Sequence, residues 1–594
     1  MKNKILGIST ALSLLSISIS SATASSQPVN NIKGNQAPNV IMIVLDDVGF
    51  ADLGAFGSEI KTPNIDNLAQ QGLRYNRFDT ASMCSPTRAA LLTGRNPHTV
   101  NMAELPPKGA GHKVGGVEGF GASKPLSDLA SKPLGAGPAN SGEIPTNAQN
   151  IAQALQLSGY ATYALGKWHV APEYKDADER NREFWPLQRG FNYYYGFLSG
   201  HTSQYHPLLI ENNAALPTPN KPGYHLSVDL VDRAMTVMDK KDSSKPKFVY
   251  LALGAGHSPL HVPKPYIDAY KGAYDQGWDK LRQERFARQK KMGIIPKNTA
   301  LPPREYGDVE WSSLDSQRKH VFARFMETYA GFLTHTDEQI GRLIDHLKST
   351  GQYDNTLIML ISDNGAAPEG GQDGGFRFAY GDKTTVAEMD ANLNEAGGPK
   401  TDMLYQRPWA YAGVTPLRRY KLWPFLGGIR TPFIASWPNH IKDKGAVRNQ
   451  YVNVIDLAPT ILEAVGSEFS EEINGVKQIP VAGKSILNTF TSKTAPTRDV
   501  QYFELRGNRA ITQGKWRAVA MHKLGTDHTQ DPWELFNVET DFSESKDLSK
   551  QYPEKLEELK KLWWAEANRY SNPPIVEPVE LLYKFNHMDD AFSK

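Results

Sequence analysis

The sequence predicts an α/β protein: a large doubly wound, mostly parallel sheet flanked by helices, with a smaller C-terminal subdomain of antiparallel strands and a helix. Three observations carry that reading. Four short apolar runs, Val40–Leu45, Tyr160–Leu165, Phe248–Leu253 and Leu357–Ser362, do not alternate polar with apolar residues; strands covered on both faces read that way. Helical periodicity lies between the runs. The order β, α, β, α then recurs along the chain, as crossover helices on a parallel sheet require.

Taken in order, residues 1–24 read as a secretory signal. Lys2 and Lys4 precede an apolar stretch from Ile5 to Ile19, and Ala22-Thr23-Ala24 fits a small-residue cleavage site. This predicts a periplasmic or extracellular protein. Residues 38–496 form the expected catalytic α/β domain. Its helical segments are Ile65–Gln71, Ala148–Ser158, Leu226–Lys240 and Phe325–Thr350. Residues 106–145 and 365–415 are Gly-rich and aperiodic, and loops of that length in a compact domain are expected to wall a cleft. A second module, 497–594, opens with strand patterns at Val500–Glu504 and within Asn508–Ala520. It continues with a charged amphipathic helix at Glu554–Tyr570, with Pro553 in its first turn.

Composition narrows the function. The 594 residues carry 40% hydrophobic and 10% aromatic side chains, enough for a large core and too many for a disordered chain. The formal charge is +2, and removal of Lys2 and Lys4 with the leader brings it to zero. A neutral chain has no bulk electrostatic case for nucleic acid. No run after the leader reaches the ~18 apolar residues of a membrane span. Cys84 is the single cysteine, so no internal disulfide supports the fold.

Each predicted strand finishes in chemically demanding residues: Asp46-Asp47, Gly166-Lys167-Trp168-His169, Gly254-Ala255-Gly256-His257 and Asp363-Asn364-Gly365. Ligands of open α/β sheets sit outside the carboxyl ends of the strands. Asp46, Asp47, Asp363 and Asn364 offer only oxygen donors, a set suited to Ca²⁺ or Mg²⁺. Either pair alone would read as a helix cap or turn. Lys167, His169 and His257 would stand beside the cation as charged or proton-transferring groups.

Pro86 belongs in the first turn of a helix, which puts Cys84 at or beside its N-cap, with Gly94 as the stop. Helix N-termini attract anions, and Arg88 adds a positive charge one turn in. A nucleophile at Cys84 would face an anionic substrate. The chain has no G-x-S-x-G elbow, H-E-x-x-H zinc helix, Walker A loop or G-x-G-x-x-G fingerprint.

Cys84-x-Pro86-x-Arg88 followed by Leu92-Thr93-Gly94-Arg95 resembles the signature of the type I sulfatases, formylglycine-dependent members of the alkaline-phosphatase-like superfamily. Leu45-Asp46-Asp47, Gly166-Lys167-Trp168-His169, Ser362-Asp363-Asn364-Gly365, Gly427-Gly428-Ile429-Arg430-Thr431-Pro432 and Trp533-Glu534-Leu535-Phe536-Asn537 are similar to further family landmarks, in order. The resemblance spans roughly residues 38–570 and is nearest to bacterial arylsulfatases. It implies hydrolysis of aryl or carbohydrate sulfate monoesters by a hydrated Cα-formylglycine (3-oxoalanine) made from Cys84, through a covalent sulfo-enzyme. It implies Ca²⁺ on Asp46, Asp47, Asp363 and Asn364, with residue 84 beside it. His169 would take a proton, Arg88 and Lys167 would stabilise the diol, and His257 and Lys421 would hold sulfate and assist the leaving oxygen. The implied partner is a formylglycine-generating or anaerobic sulfatase-maturating enzyme. One departure stands out: Leu426 occupies the position before Gly427-Gly428 where the family usually has Glu.

Two other readings use the same residues: a phosphonate or phosphodiester hydrolase on this scaffold, and a sulfated-glycan binder that never oxidises Cys84. Substrate choice would fall to the loops at 106–145, 200–222 and 365–415, where Tyr205 and two histidines offer aromatic surfaces.

Overall fold

The computed structural model describes residues 37–106, 141–171, 179–239, 245–305, 307–377, 384–523 and 525–570. The leader and most of the 106–145 loop lie outside these residues.

The four apolar runs all form strands, and all four are neighbours. We label the strands of the main sheet β1 (Asn39–Leu45), β2 (Leu73–Tyr75), β3 (Ala161–Lys167), β4 (Tyr193–Phe197), β5 (Ile210–Glu211), β6 (Ala214–Ala215), β7 (Lys247–Ala252), β8 (Thr356–Ser362), β9 (Phe433–Ser436) and β10 (Ala446–Arg448). Their spatial order is β10-β2-β9-β8-β1-β7-β3-β4-β5-β6. From β8 to β4 all pairings are parallel, and β9 joins β8 antiparallel. The second run extends two residues further than its hydrophobicity suggested, so Gly166 and Lys167 end β3 rather than follow it.

The missing alternation has its expected cause. On β1, Ile41, Ile43 and Leu45 face one apolar core while Val40, Met42 and Val44 face another. The first core is closed by α1 (Pro63–Gln71), α4 (Leu226–Asp239) and the 34-residue α5 (Ser316–Ser349). The second is closed by α2 (Cys84–Thr93), α3 (Ile151–Leu157) and α6 (Leu457–Ala464). Helix α5 starts nine residues before the expected Phe325, because Asp315 caps it by accepting from Arg318 N at 2.7 Å. The 365–415 segment is not a plain loop: it contains short helices at Val386–Ala391 and Arg407–Gly413.

Strands β11 (Val500–Leu505), β12 (Asn508–Gln513), β13 (Trp516–Ala520) and β14 (Trp533–Asn537) form an antiparallel meander. Helix α7 (Pro553–Tyr570) lays Leu559, Trp563 and Ala567, one face at i, i+4, i+8, on Tyr502, Ile511, Ala518 and Leu535. Charged groups fasten this sheet to the main body. Arg517 pairs with buried Glu544 at 2.8 Å, and Glu544 in turn accepts from Leu426 N at 2.8 Å. A carboxylate from the C-terminal segment therefore holds the turn at which Leu426 departs from the expected Glu.

Candidate active site

The parallel core brings the ends of β1, β3, β7 and β8 to one edge. Asp46 N donates to Ala255 O at 2.9 Å and Asp363 N to Leu45 O at 3.1 Å, so the three strand-end turns lock onto one another. Asp47 and His169 both adopt positive φ, 59° and 52°, conformations that side-chain-bearing residues hold only under tertiary constraint. Close backbone approach fixes the rest. A Cβ on Gly365 would stand 1.9 Å from Gly427 O, and one on Gly427 would stand 2.1 Å from Arg419 O. These two glycines let the β8 turn and the loop carrying Lys421 touch.

All ten residues expected at the site meet there, nearly all fully buried. Cys84 is the first residue of α2, after Met83 as N-cap, and Gly94 ends the helix at φ 64°. Its Sγ lies 3.4 Å from His169 Nδ1. Arg88, one turn along, donates from Nε and Nη2 to Asp363 Oδ2 at 2.9 and 2.7 Å. Lys167 Nζ donates to Asp46 Oδ2 at 2.7 Å. Lys421 Nζ donates to Asp47 Oδ2 at 2.9 Å and pairs with Glu369 Oε1 at 2.8 Å. The neighbouring arginines are engaged elsewhere, Arg418 with Glu534 and Arg419 with Glu305, which singles out Lys421 as the cation of its loop that enters the site.

His257 closes the group. Its Nδ1 lies 2.5 Å from Ser258 O, and since a carbonyl can only accept, Nδ1 carries the hydrogen. Its Nε2 points at Asp47 Oδ2, 3.6 Å away. Burial, only partly opposed by Asp47, lowers the His257 pKa to about 3. The ring is therefore neutral at pH 7, with a lone pair on Nε2. The His201 ring stacks on it at 6.0 Å and 7°. Tyr205, expected to offer a face to a substrate ring, instead packs on His261 at 5.2 Å and donates to Gly397 O.

The donor set fits a hard divalent cation. Asp46 Oδ1 and Asn364 Oδ1 are buried with no hydrogen-bond partner. The Asn364 amide is held by Nδ2, which donates to Asp47 Oδ1 at 2.6 Å and Gly365 O at 2.9 Å, so it is tied directly to one of the carboxylates. Ligand atoms of Asp46, Asp47 and His257 lie within 4.8 Å of one another. The electrostatics agree. Burial and then Asp363 push the Asp46 carboxyl up to about 8, the sign of negative charge short of a counterion. Against the burial that raises it, Lys421 and then His257 pull Asp47 down to about 2. Such a cluster of charges holds together only when every member is paired.

The Cys84 thiol is a weak nucleophile as it stands. Burial pushes it up to about 11 despite Lys167 and Lys421. The thiolate is the reactive form, and little of it exists at neutral pH.

Glu369 is the site residue that sequence reasoning did not single out. It lies in the same strand-end loop as Asp363 and Asn364, but its meaning comes from Lys421, 52 positions away. Burial raises its carboxyl pKa and Lys421 opposes the rise.

A sequence model of the sulfatase family matches residues 38–467, and one for the C-terminal part of N-sulphoglucosamine sulphohydrolase matches residues 421–568. The chain is 32% identical over 551 residues to an uncharacterized sulfatase of Schizosaccharomyces pombe, covering 89% of this chain and 93% of that protein. It is 30% identical over 491 residues to an arylsulfatase of Klebsiella aerogenes, covering 80% of this chain and 95% of the relative. It superposes on the crystal structure of Ps i-CgsB in complex with k-i-k-neocarrahexaose with a TM-score of 0.61 and 25% identity, covering 94% of this chain and 100% of the other.

Proposed function

The chain belongs to the sulfatase family and is a sulfuric ester hydrolase, and from that premise we propose that it is an exported enzyme cleaving aryl or carbohydrate sulfate monoesters with Cys84 oxidised to Cα-formylglycine. The observation that carries the reading is the placement of Cys84. It opens a buried helix, touches His169, and lies among three cations beside the buried carboxylates of Asp46, Asp47 and Asp363. An unmodified thiol with a pKa near 11 would waste that setting. The carbohydrate option is supported by the neocarrahexaose complex of Ps i-CgsB, and the aryl option by the K. aerogenes arylsulfatase. Export rests on the leader at residues 1–24.

Oxidised and hydrated, residue 84 supplies one hydroxyl to attack sulfur and a second whose deprotonation expels sulfate. Asp46, Asp47, Asp363 and Asn364 would hold a Ca²⁺ or Mg²⁺ ion, which would supply polarisation of a sulfate oxygen. His169 Nδ1, 3.4 Å from the reacting position, accepts the diol proton. Arg88 and Lys167, anchored on Asp363 and Asp46, hold positive charge against the diol and the sulfuryl oxygens. Lys421 flanks the opposite side at Asp47, where it binds sulfate and orients the leaving oxygen; His257 stands beside it and donates to those oxygens only when its Nε2 takes up a proton. Water exclusion comes from burial, since no residue of this group other than Glu369 and His257 keeps more than 5% exposure. In the low dielectric that results, fixed charges act more strongly than in water.

Mass spectrometry of the tryptic peptide Phe78–Arg88 from protein exported by its natural host tests the proposal. The expected result is the formylglycine mass, together with release of sulfate from an aryl sulfate ester. Cys84→Ala is expected to abolish turnover and keep the fold, because the side chain makes a single weak polar contact there. An intact thiol in active protein, or activity surviving in Cys84→Ala, would overturn it.

A further inference from the structure

We propose that Glu369 sets the charge selectivity of this site, favouring singly charged sulfate esters over the dianions of phosphate monoesters; the proposal rests on the sulfatase reading above.

Glu369 is built into the site. Its loop continues from Asp363 and Asn364 and is tied to the Lys421 segment by Lys421 N donating to Ala366 O at 3.1 Å. A Cβ on Gly370 would stand 2.1 Å from Tyr405 O, so the chain passes that point, next to Glu369, only as glycine. Glu369 Oε1 then lies 2.8 Å from Lys421 Nζ, whose other partner is Asp47 Oδ2. Lys421 is thus shared between two carboxylates, although one would balance it. Glu369 keeps 10% side-chain exposure against 3% for Lys421, so of the two it is the more open to solvent.

Charge balance gives the consequence. Arg88, Lys167 and Lys421 face Asp46, Asp47, Asp363 and Glu369, one anion more than cations. A divalent cation, which keeps Asp46 ionised, makes the site +1. A sulfate monoester brings −1 and neutralises it. A phosphate monoester above its second pKa of about 6 brings −2 and leaves one buried charge unbalanced. Its desolvation also costs more, since that cost grows with the square of the charge. Without the Glu369 charge the site becomes +2 and matches the dianion. That difference of one charge is the same whichever cation is bound.

The test compares wild type, Glu369→Gln and Glu369→Asp at pH 8. Two ratios are read: kcat/KM for p-nitrophenyl sulfate against p-nitrophenyl phosphate, and the calorimetric affinity for benzenesulfonate against phenylphosphonate, neither of which is turned over. Glu369→Gln is expected to move both ratios toward the phosphorus compound by roughly tenfold or more. Glu369→Asp, which keeps the charge, is expected to stay near wild type. Equal loss on both substrates in Glu369→Gln, with the ratios unchanged, would overturn the proposal and leave Glu369 as a support for Lys421. Tighter binding of phenylphosphonate than benzenesulfonate by wild type would overturn it without any variant. Wild type that cleaves the phosphate ester and not the sulfate ester would refute the sulfatase reading itself.

Discussion

Replacing Asp363 with Ala perturbs two interactions whose sizes the structure separates. The first is the pair with Arg88, two charge-assisted bonds at 2.9 and 2.7 Å between fully buried groups. What remains for Arg88 is weak: Tyr250 Oη and Lys167 O at 3.4 Å and Asp46 Oδ1 at 3.8 Å. Breaking a buried pair from one side costs about 3–5 kcal/mol. The second interaction is repulsion, since Asp363 helps push the Asp46 carboxyl up. Its relief offsets part of the loss in metal-free protein and nothing in protein whose cation already balances both carboxylates. The cation also stabilises the folded state by linkage, about 2.7 kcal/mol when present at a hundred times its dissociation constant. Wild type should therefore gain about that much on adding Ca²⁺, while Asp363→Ala should gain close to nothing. The assay is urea unfolding at pH 8 in chelator and in Ca²⁺, with metal content measured after dialysis. An equal calcium increment in both proteins, with unchanged metal content, would refute the four-residue ligand set.

Two more predictions follow from the packing. A Cβ on Gly200 would stand 2.8 Å from His169 Cε1 and 2.9 Å from Nε2, so Gly200→Ala must displace the ring. We expect kcat to fall by roughly tenfold to a hundredfold with the unfolding midpoint nearly unchanged; an unaltered kcat would remove His169 from proton transfer. Burial also lowers the pKa of His225 to about 3 and of His261 and His335 to about 4, against about 6.5 unfolded. The unfolded chain binds protons first, so their contribution is complete above pH 6.5 and is lost as pH falls toward 4. Each group adds a slope of up to about 1.4 kcal/mol per pH unit, and His335→Phe should remove about a third of their joint slope between pH 6 and 5. A slope unchanged by His335→Phe would contradict neutral burial of that ring.

The site was legible in the sequence to an unusual degree because its parts sit at strand ends. Asp46-Asp47, Lys167 to His169, His257 and Asp363-Asn364 each follow an apolar run, and a parallel sheet needs no further instruction to gather the carboxyl ends of adjacent strands. Cys84 was legible for a different reason, since Pro86 and Gly94 mark the helix by local chemistry alone. Less visible were short strands such as β4 and β9, which are held by register with longer neighbours and carry few residues of their own. The 365–415 segment misled because its helices are short, and one of them is an entirely buried turn whose stability comes from packing.

What the sequence determined by itself was the kind of chemistry: oxygen donors for a cation, a cysteine at a helix start, and cations to meet an anion. These depend on residue type and on spacing within a few residues. Only the tertiary structure decided which charges balance which. That Lys421 rather than Arg418 or Arg419 enters the site, that Glu369 shares it with Asp47, and that Glu544 holds the turn at Leu426 are pairings across 52 to 374 positions. No local pattern encodes them, because a buried charge takes its state from whichever opposite charge the fold brings within about 4 Å.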